Sequence, residues 1–387
     1  MKKIFAIITI LIILSTPALG LSNYKKSQYS KGSFLGMQNG ILYPKLWKLV
    51  QDKFGFLKES ISNKKTKGDF YDFTFFPINI TLGDDAFHGA DTLHFIEWWY
   101  FDACLDDGYS IQVSINVYDA LDLGLAVINI NIYKNGEIKR TGKEIYNLNE
   151  FNISRELPLI ILYDKKIIEG YIDKKTGNLI YALSLDINEI YLDLRFTSLT
   201  DGWKGTTPFG EWCVVMPKAE VDGIIKIGDN DYFHKVKGFG YHDHNWNMTI
   251  FAGINFGWIW GKVNSNNYTI IWCDILTTWY LNDPVLVLNK ENGTYVSINP
   301  EDIQIIVKDV RFKNGMLIPY SFSINACDKN ISFSVEVKVI ETHYASIMGM
   351  VNYWRYHVRY TGSITVFSKT ENIDEKNIAE FIRFRPY

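Results

Sequence analysis

The sequence predicts an all-β protein built from antiparallel sheets or barrels. Apolar and polar residues alternate with a period of two over 109–117, 190–196 and 331–339. A strand with this pattern buries one face only, as strands of antiparallel sheets and barrels do. Turn sequences such as Asp107-Gly108 lie between these segments. Aromatic residues make up 15% of the 387-residue chain, and flat rings pack well on pleated surfaces.

Charge and motifs exclude several classes of protein. The formal net charge is −3 at pH 7, whereas a nucleic-acid-binding protein needs a basic surface. The sequence contains no P-loop, no dinucleotide-binding glycine fingerprint and no GxSxG nucleophile elbow. Nucleic acid is therefore not a predicted partner.

The first residues predict a targeting segment. Lys2 and Lys3 precede an apolar run over 4–14, and small residues follow at 18–20. The run is short for a spanning helix, so residues 1–20 predict a signal peptide or, alternatively, an uncleaved anchor. Either places the body of the protein outside the cytoplasm, extracellular or on the outer face of a membrane. Export permits up to two disulfides in any of three pairings among Cys104, Cys213, Cys273 and Cys327.

Residues 21–68 form a basic segment that differs from the remainder. After Pro44, apolar residues recur at helical spacing, and lysines occupy the intervening positions. This pattern predicts an amphipathic basic helix. Residues 44–58 could contact a membrane surface, or the helix could pack on the β-body with a solvated lysine face.

A weak internal repeat divides the rest of the chain. Trp99-x-Phe101, a turn and the alternating strand from Tyr109 recur 159 residues later, where Trp258-x-Trp260 and the strand from Tyr268 follow the same order. A duplicated β-domain is the simplest explanation. We therefore predict domains over 69–250 and 251–387.

The repeat draws attention to Asp274, which aligns with Ile115 of the first copy. By strand parity Asp274 shares a face with Ile270 and Trp272. If this face lines the interior, burial would raise the pKa of Asp274 and suit it to donate a proton. If the face meets solvent, Asp274 is an ordinary surface acid.

The segment 240–246 concentrates polar and aromatic side chains. In a strand, His242, His244 and Trp246 share one face, and Asp243 and Asn245 share the other. A His-x-His pair can hold a catalytic zinc, with Asp274 or His357 as possible third ligands. No third ligand stands at a known spacing, so we predict no metal site. The segment could equally be a structural clasp between the domains.

Three motifs resemble a known family. Glu97-Trp98-Trp99-Tyr100-Phe101-Asp102 is similar to its EWWYFD signature. Met216-Pro217-Lys218-Ala219 and Gly238–Trp246 resemble its PRA…GxGYHDHNW segment, and Asn352-Tyr353-Trp354 through Gly362 resembles a late YWEGxxxxxG strand. This is the carotenoid 1,2-hydratase (hydroxyneurosporene synthase) and AttH-like group, to which fungal decalin-forming Diels–Alderases are related.

The resemblance implies two tandem lipocalin-like (calycin) antiparallel β-barrels with a hydrophobic pocket and no cofactor. It assigns proton donation to Asp274, with His244 as its partner. From the resemblance, the strand parity and the repeat together, we predict that the substrate-binding residues are Trp246, Trp272, His242, Trp258 and Trp260. We predict structural roles for Glu97, Trp98, Trp99, Asp243 and Asn245. Two positions depart from the family: Trp272 replaces a tyrosine, and Arg355 replaces a glutamate.

The predicted function is an exported, cofactor-independent hydratase or cyclase that acts by acid catalysis on an isoprenoid or other polyene-like lipid. Protonation of an alkene creates a carbocation, which Trp246 and Trp272 would stabilise with their electron-rich faces. Two alternatives remain at this point. The protein could be a non-catalytic, lipocalin-like carrier of a hydrophobic ligand, or a pericyclase that needs only shape and hydrogen bonds.

Overall fold

The computed structural model describes the β-body of the chain. The described residues are 75–89, 94–120, 123–228, 232–248, 257–276, 282–291, 293–347 and 351–384. The predicted targeting segment (1–20), the basic segment (21–68) and its membrane contact (44–58) lie outside these residues. In the described part, no helix has the length and apolarity needed to cross a bilayer.

The first sheet contains thirteen strands. They are β1 (Ile78–Asn79), β2 (His94–Leu105), β3 (Tyr109–Ala120), β4 (Leu123–Lys134), β5 (Glu137–Asn147), β6 (Phe151–Ile153), β7 (Leu159–Leu162), β8 (Lys165–Ile172), β9 (Leu179–Ile187), β10 (Ile190–Ser198), β11 (Trp203–Thr207), β12 (Gly210–Ile227) and β13 (His234–Met248). The main path is β5-β4-β3-β2-β13-β12-β10-β9-β8-β7-β6, and β11 joins β1 to β12.

The second sheet contains nine strands. They are β14 (Gly257–Asn264), β15 (Tyr268–Leu276), β16 (Asn282–Lys290), β17 (Tyr295–Ser297), β18 (Ile303–Lys313), β19 (Met316–Asp328), β20 (Ile331–Ile347), β21 (Val351–Val366) and β22 (Lys369–Arg383). The path is β17-β16-β15-β14-β22-β21-β20-β19-β18.

Both sheets are arranged alike. In each, the first strand of an early hairpin pairs with the last strand of the same sheet, β2 with β13 and β14 with β22. The described strands form a nearly closed barrel and a half-barrel, which confirms the predicted lipocalin-like all-β fold. The first sheet ends at Met248 and the second begins at Gly257, on either side of the boundary predicted near residue 250.

The two early hairpins differ by one residue in the turn. Cys104 pairs with Ser110 in the first hairpin and Asn264 with Thr269 in the second, so the second turn is one residue shorter. Strand β14 is therefore shifted by one position relative to the sequence repeat, and the face of each side chain is reversed. Trp99 lies in the first core, whereas Trp258, its counterpart in the repeat, lies on the opposite face from Ile259 of the second core.

Trp258 and Trp260 therefore do not line the interior of the second barrel, because the one-residue shift turns them outwards. Trp260 packs against Tyr100 and Tyr241 of the first sheet. The indole N–H of Trp258 donates to Glu380 at 2.9 Å. Their predicted contact with substrate inside a barrel does not follow from this placement.

Polar groups join the two sheets. Lys262 donates a hydrogen bond to Asp102, and Arg355 donates one to the hydroxyl of Tyr100. All four side chains are buried. The arginine that departs from the family motif is thus a cation enclosed between the sheets, near aromatic rings that favour it.

Candidate functional site in the first core

A short turn positions the carboxylate of Asp85 inside the first barrel. Leu82–Asp85 form one 3-10 turn, in which the carboxylate of Asp84 accepts hydrogen bonds from the backbone N–H of Thr81 at 2.7 Å and from its hydroxyl at 2.9 Å. Asp84 stays near the surface and pairs with Lys204. The next residue, Asp85, points inwards and is 1% exposed.

Asp85 is ionised despite its burial. Tyr181 donates a hydrogen bond to Asp85 Oδ2, and His242 Nε2 lies 3.0 Å from the same oxygen. His244 Nδ1 lies 3.2 Å from Oδ1. Burial would raise the pKa of this carboxyl, but the charges and hydrogen bonds of the two histidines hold its pKa well below the usual range.

His242 is fixed in one orientation. Its Nδ1 lies 2.9 Å from the backbone oxygen of Tyr100 and donates to it, so Nε2 is directed at Asp85. The ring stacks on Phe101 with centroids 3.8 Å apart and planes 7° apart. Alternation along β13 sends His244 to the same side, two residues on.

His244 lies between two carboxylates. Its Nε2 is 2.9 Å from Glu97 Oε1, and its ring stacks on Trp99 at 4.4 Å. Burial would lower the pKa of His244, but hydrogen bonds to Asp85 and Glu97 outweigh it and raise the pKa to about 9. Burial would likewise raise the pKa of Glu97, but His244 and His88 lower it to about 2. His244, Asp85 and Glu97 are therefore all charged at neutral pH.

The outer end of the cluster is formed by His88 and Trp246, whose rings stack with centroids 3.9 Å apart and planes 2° apart. His88 Nδ1 is 3.6 Å from Glu97 Oε1. The backbone N–H groups of His88 and Gly89 donate to Glu97 at 2.9 and 2.8 Å. Gly89 has φ 61°, a conformation that favours glycine. Ligand atoms of His88, Glu97 and His244 lie within 4.8 Å of one another, so these residues could hold a cation.

A cavity of about 240 Å³ adjoins the cluster. Its walls are formed by Ile80, Thr81, Leu82, Ile172, Leu179, Tyr181 and Val215. Five of these seven side chains are aliphatic, so the cavity suits an apolar ligand. Tyr181 belongs both to this wall and to the hydrogen-bonded cluster.

The histidine segment has two faces with different partners. His242, His244 and Trp246 point into the first core, as strand parity predicted. On the other face, Tyr241 and Trp212 donate to Asp243 Oδ2 at 2.8 and 3.1 Å, and Asn245 donates to Oδ1 at 3.1 Å. Burial raises the pKa of Asp243 to about 7. This face agrees with a structural clasp.

The structure does not bring the sequence-predicted site together. His244 and Trp246 lie with the first core, whereas Trp272 belongs to the second and donates to Tyr360 at 3.2 Å. Asp274 is buried on the same side of β15 as Trp272. Among the described residues, both ring nitrogens of His244 face Asp85 and Glu97, so His244 is not oriented by Asp274. The catalytic roles assigned to Asp274 and His244 stay predictions.

The histidines are also not arranged as the zinc site considered from the sequence would require. His242 directs its nitrogens at Tyr100 and Asp85, so the His-x-His pair does not converge on one point. His357 Nε2 is 2.8 Å from Ser110 Oγ, across the two sheets. The residues that sequence reasoning missed are Asp85, His88 and Tyr181. Glu97 was assigned a structural role from its motif, but it contacts His244.

The comparisons with known proteins agree with the motifs. No protein-family model matches the chain. A curated relative, the hydroxyneurosporene dehydrogenase of Chlorobaculum tepidum, is 22% identical over 365 residues, which cover 80% of this chain and 88% of the relative.

Among solved structures, a protein assigned as AttH from Nitrosomonas europaea superposes with a TM-score of 0.55 at 13% identity, covering 82% of this chain and 98% of the other. Kievitone hydratase from Nectria haematococca gives a TM-score of 0.44 at 9% identity, covering 74% and 88%. The curated relative and the AttH structure confirm the resemblance that the motifs indicated.

Proposed function

We propose that this relative of carotenoid-modifying and AttH-like proteins is a hydratase or cyclase that acts on an apolar, polyene-like molecule in the first barrel. The observation that carries the proposal is the position of Tyr181. Its side chain is part of the wall of an apolar cavity and donates a hydrogen bond to buried Asp85. A ligand in the cavity therefore contacts a side chain whose hydroxyl is hydrogen-bonded to an ionised group.

The connected groups can move a proton to and from the cavity. Asp85 Oδ2 accepts from Tyr181 and contacts His242, whose other nitrogen is fixed on the main chain. Burial and the neighbouring Asp85 raise the pKa of the Tyr181 hydroxyl, which makes it a weak acid and, once deprotonated, a strong base. A proton that it gives up to a double bond can be replaced along the hydrogen-bonded line that runs through Asp85 to His242. In the reverse direction, Tyr181 can take a proton from attacking water while its own proton passes to Asp85.

The same groups suit a cationic intermediate. Protonation of an alkene leaves a carbocation, which a fixed negative charge and aromatic faces stabilise in a water-poor site. Asp85 supplies the charge, and the rings of Tyr181 and Phe101 lie beside it. Capture of the cation by water, followed by loss of a proton from that water, gives a hydration. Capture by a second double bond forms a ring and a new cation, which gives the cyclic isomer when it loses a proton.

The curated relative supports the substrate class, since its name refers to a carotenoid. We therefore propose an acyclic isoprenoid polyene as substrate. We also propose export, which the basic and then apolar N-terminal segment supports. The resemblance assigns the proton to Asp274 instead, which is a competing donor because it is buried beside Trp272.

The proposal is tested by turnover of an acyclic polyene isoprenoid in detergent, with the full chain in ¹⁸O-labelled water. We expect a product that is heavier by one labelled water, or an isomer of unchanged mass if the product is cyclic. Tyr181→Phe should lower the rate by about 10²–10⁴-fold, since it removes the acid–base group at the cavity. Tyr163→Phe is the matched control, because Tyr163 is exposed and should leave the rate unchanged.

A carrier is the second candidate, favoured by the aliphatic walls of the cavity. Val215→Trp should fill the cavity and abolish binding under either function. An enzyme whose Tyr181→Phe variant still binds the polyene but no longer converts it agrees with our proposal. A wild-type protein that binds the polyene and returns it unchanged is a carrier, and the proposal is then wrong.

A further inference from the structure

We propose that His88, Glu97 and His244 bind a divalent transition-metal ion of the Zn²⁺ type at the outer end of the first core. The three side chains come from separate elements: the segment after the 3-10 turn, β2 and β13. Two imidazoles and one carboxylate form a recurrent donor set for such ions, and binding would displace the Nε2 proton that His244 shares with Glu97. The inference rests on these contacts and is independent of the reaction proposed above.

The distances between the donor atoms are compatible with a shared ion. Metal–ligand bonds of about 2.0–2.2 Å at tetrahedral angles separate two donors by about 3.3–3.6 Å. His88 Nδ1 and Glu97 Oε1 are 3.6 Å apart, within this range. His244 Nε2 and Glu97 Oε1 are 2.9 Å apart, a hydrogen-bond distance that must lengthen by about 0.4 Å when an ion takes the place of the proton. All three donor atoms lie within 4.8 Å of one another.

His88 supplies a second, independent observation. Its Nδ1 is shielded from solvent and has no hydrogen-bond partner among the described residues. Buried polar atoms normally have a partner, so this nitrogen requires an explanation. An ion beside Glu97 would satisfy it. The His88 side chain as a whole is 28% exposed, which gives the site a route to solvent.

The surroundings hold each donor in place. His244 Nδ1 lies 3.2 Å from Asp85 Oδ1, so the nitrogen that faces away from Glu97 meets a second carboxylate. Metal-bound histidines usually have such an outer partner, which orients the ring and increases its basicity. Stacking on Trp99 and Trp246 fixes the planes of His244 and His88.

The donors also define the class of ion. Imidazole nitrogens disfavour Ca²⁺ and Mg²⁺, which prefer oxygen ligands. Three protein donors leave a fourth position for water or an oxygen-bearing ligand. The site lies at the end of the cluster away from Tyr181, with Asp85 between them.

The test uses the full chain, treated with chelator and dialysed, then titrated with Zn²⁺ by calorimetry and with Co²⁺ by visible absorption. We expect one ion per chain and a Co²⁺ spectrum of low coordination number. His88→Phe keeps a flat ring against Trp246 but removes the donor, and it should weaken binding at least 100-fold. Asp85→Asn, which changes only the outer partner, should weaken binding by about 10–100-fold.

His234→Phe is the matched control. It makes the same histidine-to-phenylalanine change on β13 outside the cluster, so it should not alter the affinity for the ion. His88 is partly exposed, so its variant should fold, and circular dichroism checks this. The inference is overturned if neither ion binds the folded wild type, or if His88→Phe binds Zn²⁺ as the wild type does. These outcomes are independent of turnover, so they can be separated from failure of the proposed function.

Discussion

The two sheets place very different side chains at equivalent positions of the same topology. In the first sheet, β2 and β13 pair Trp99 with His244 and Phe101 with His242. In the second, β14 and β22 pair Ile259 with Phe381 and Gly261 with Ala379. Both sets face the interior, but the second set is apolar.

This difference supports the proposal that the first copy carries the chemistry. The second core is held together mainly by apolar packing, and the acid Asp274 is buried on the same face as its Trp272. The first core keeps two carboxylates and two histidines buried, an arrangement that is costly to desolvate and rarely improves stability. Charges at these positions are better explained by function.

The largest effect is expected from breaking the charge pairing in the first core. Asp85→Ala leaves Glu97 as the remaining carboxylate beside His244. It also removes the carboxylate that His242 and Tyr181 contact. Breaking a buried ion pair costs about 3–5 kcal/mol of unfolding free energy. Ile259→Val in the second core should cost about 0.5–1.5 kcal/mol. Urea denaturation of both variants measures the contrast, and equal losses would remove the distinction between the cores.

The second test concerns two histidines, buried His244 and half-buried His357, whose pKa values shift in opposite directions. The pKa of His244 is raised to about 9, whereas burial, with the nearby Arg355 cation, lowers the pKa of His357 to about 4. In the unfolded chain His357 takes up a proton near pH 6.5, but in the folded protein it stays neutral until about pH 4. Its contribution to stability is therefore present above pH 6.5 and is lost as the pH falls towards 4.

His357→Gln should remove this acid sensitivity. A shift of this size corresponds to about 3 kcal/mol of unfolding free energy between pH 6.5 and pH 4. We expect the variant to lose correspondingly less stability than the wild type over that interval in urea titrations. An unchanged pH dependence would show that His357 is not held neutral in the folded protein.

The smallest effect is expected from placing a histidine in the second core. Phe381→His puts an imidazole opposite Ile259, where the equivalent pair of the first sheet is Trp99 and His244. The position equivalent to Glu97 is Gly257, and the acid on that face, Asp274, lies opposite Ile259 on the side away from Phe381. The introduced ring should stay neutral and cost about 2 kcal/mol of unfolding free energy. A raised pKa by NMR titration would contradict the claimed difference between the cores.

The fold was largely predictable from the sequence, because period-two patterns and long motifs are local signals. The repeat also identified the correct pair of hairpins. Its fine register was not predictable: one residue fewer in the second turn reverses the face of Trp258 and Trp260. A weak repeat does not determine turn length at single-residue precision, and parity arguments fail when the register shifts by one.

The site was only half predictable. His242 and His244 stood out because polar and aromatic side chains are concentrated in residues 240–246, and strand parity placed the two histidines on one face. Asp85 and His88 carry no such signal, because they reach the cluster through a turn whose direction depends on tertiary packing. Tyr181 is one of 24 tyrosines and lies in an ordinary alternating strand. Long-range contacts of this kind are not encoded in local spacing.

The central claim is that the chemistry takes place in the first core. It is tested most directly by comparing the initial rates of Asp85→Asn and Asp274→Asn in the polyene turnover assay. Both changes remove one buried carboxylate and conserve volume, one in each barrel. Our account predicts that Asp85→Asn loses activity while Asp274→Asn retains it. Activity that survives Asp85→Asn and disappears in Asp274→Asn would contradict it and place the proton donor in the second barrel.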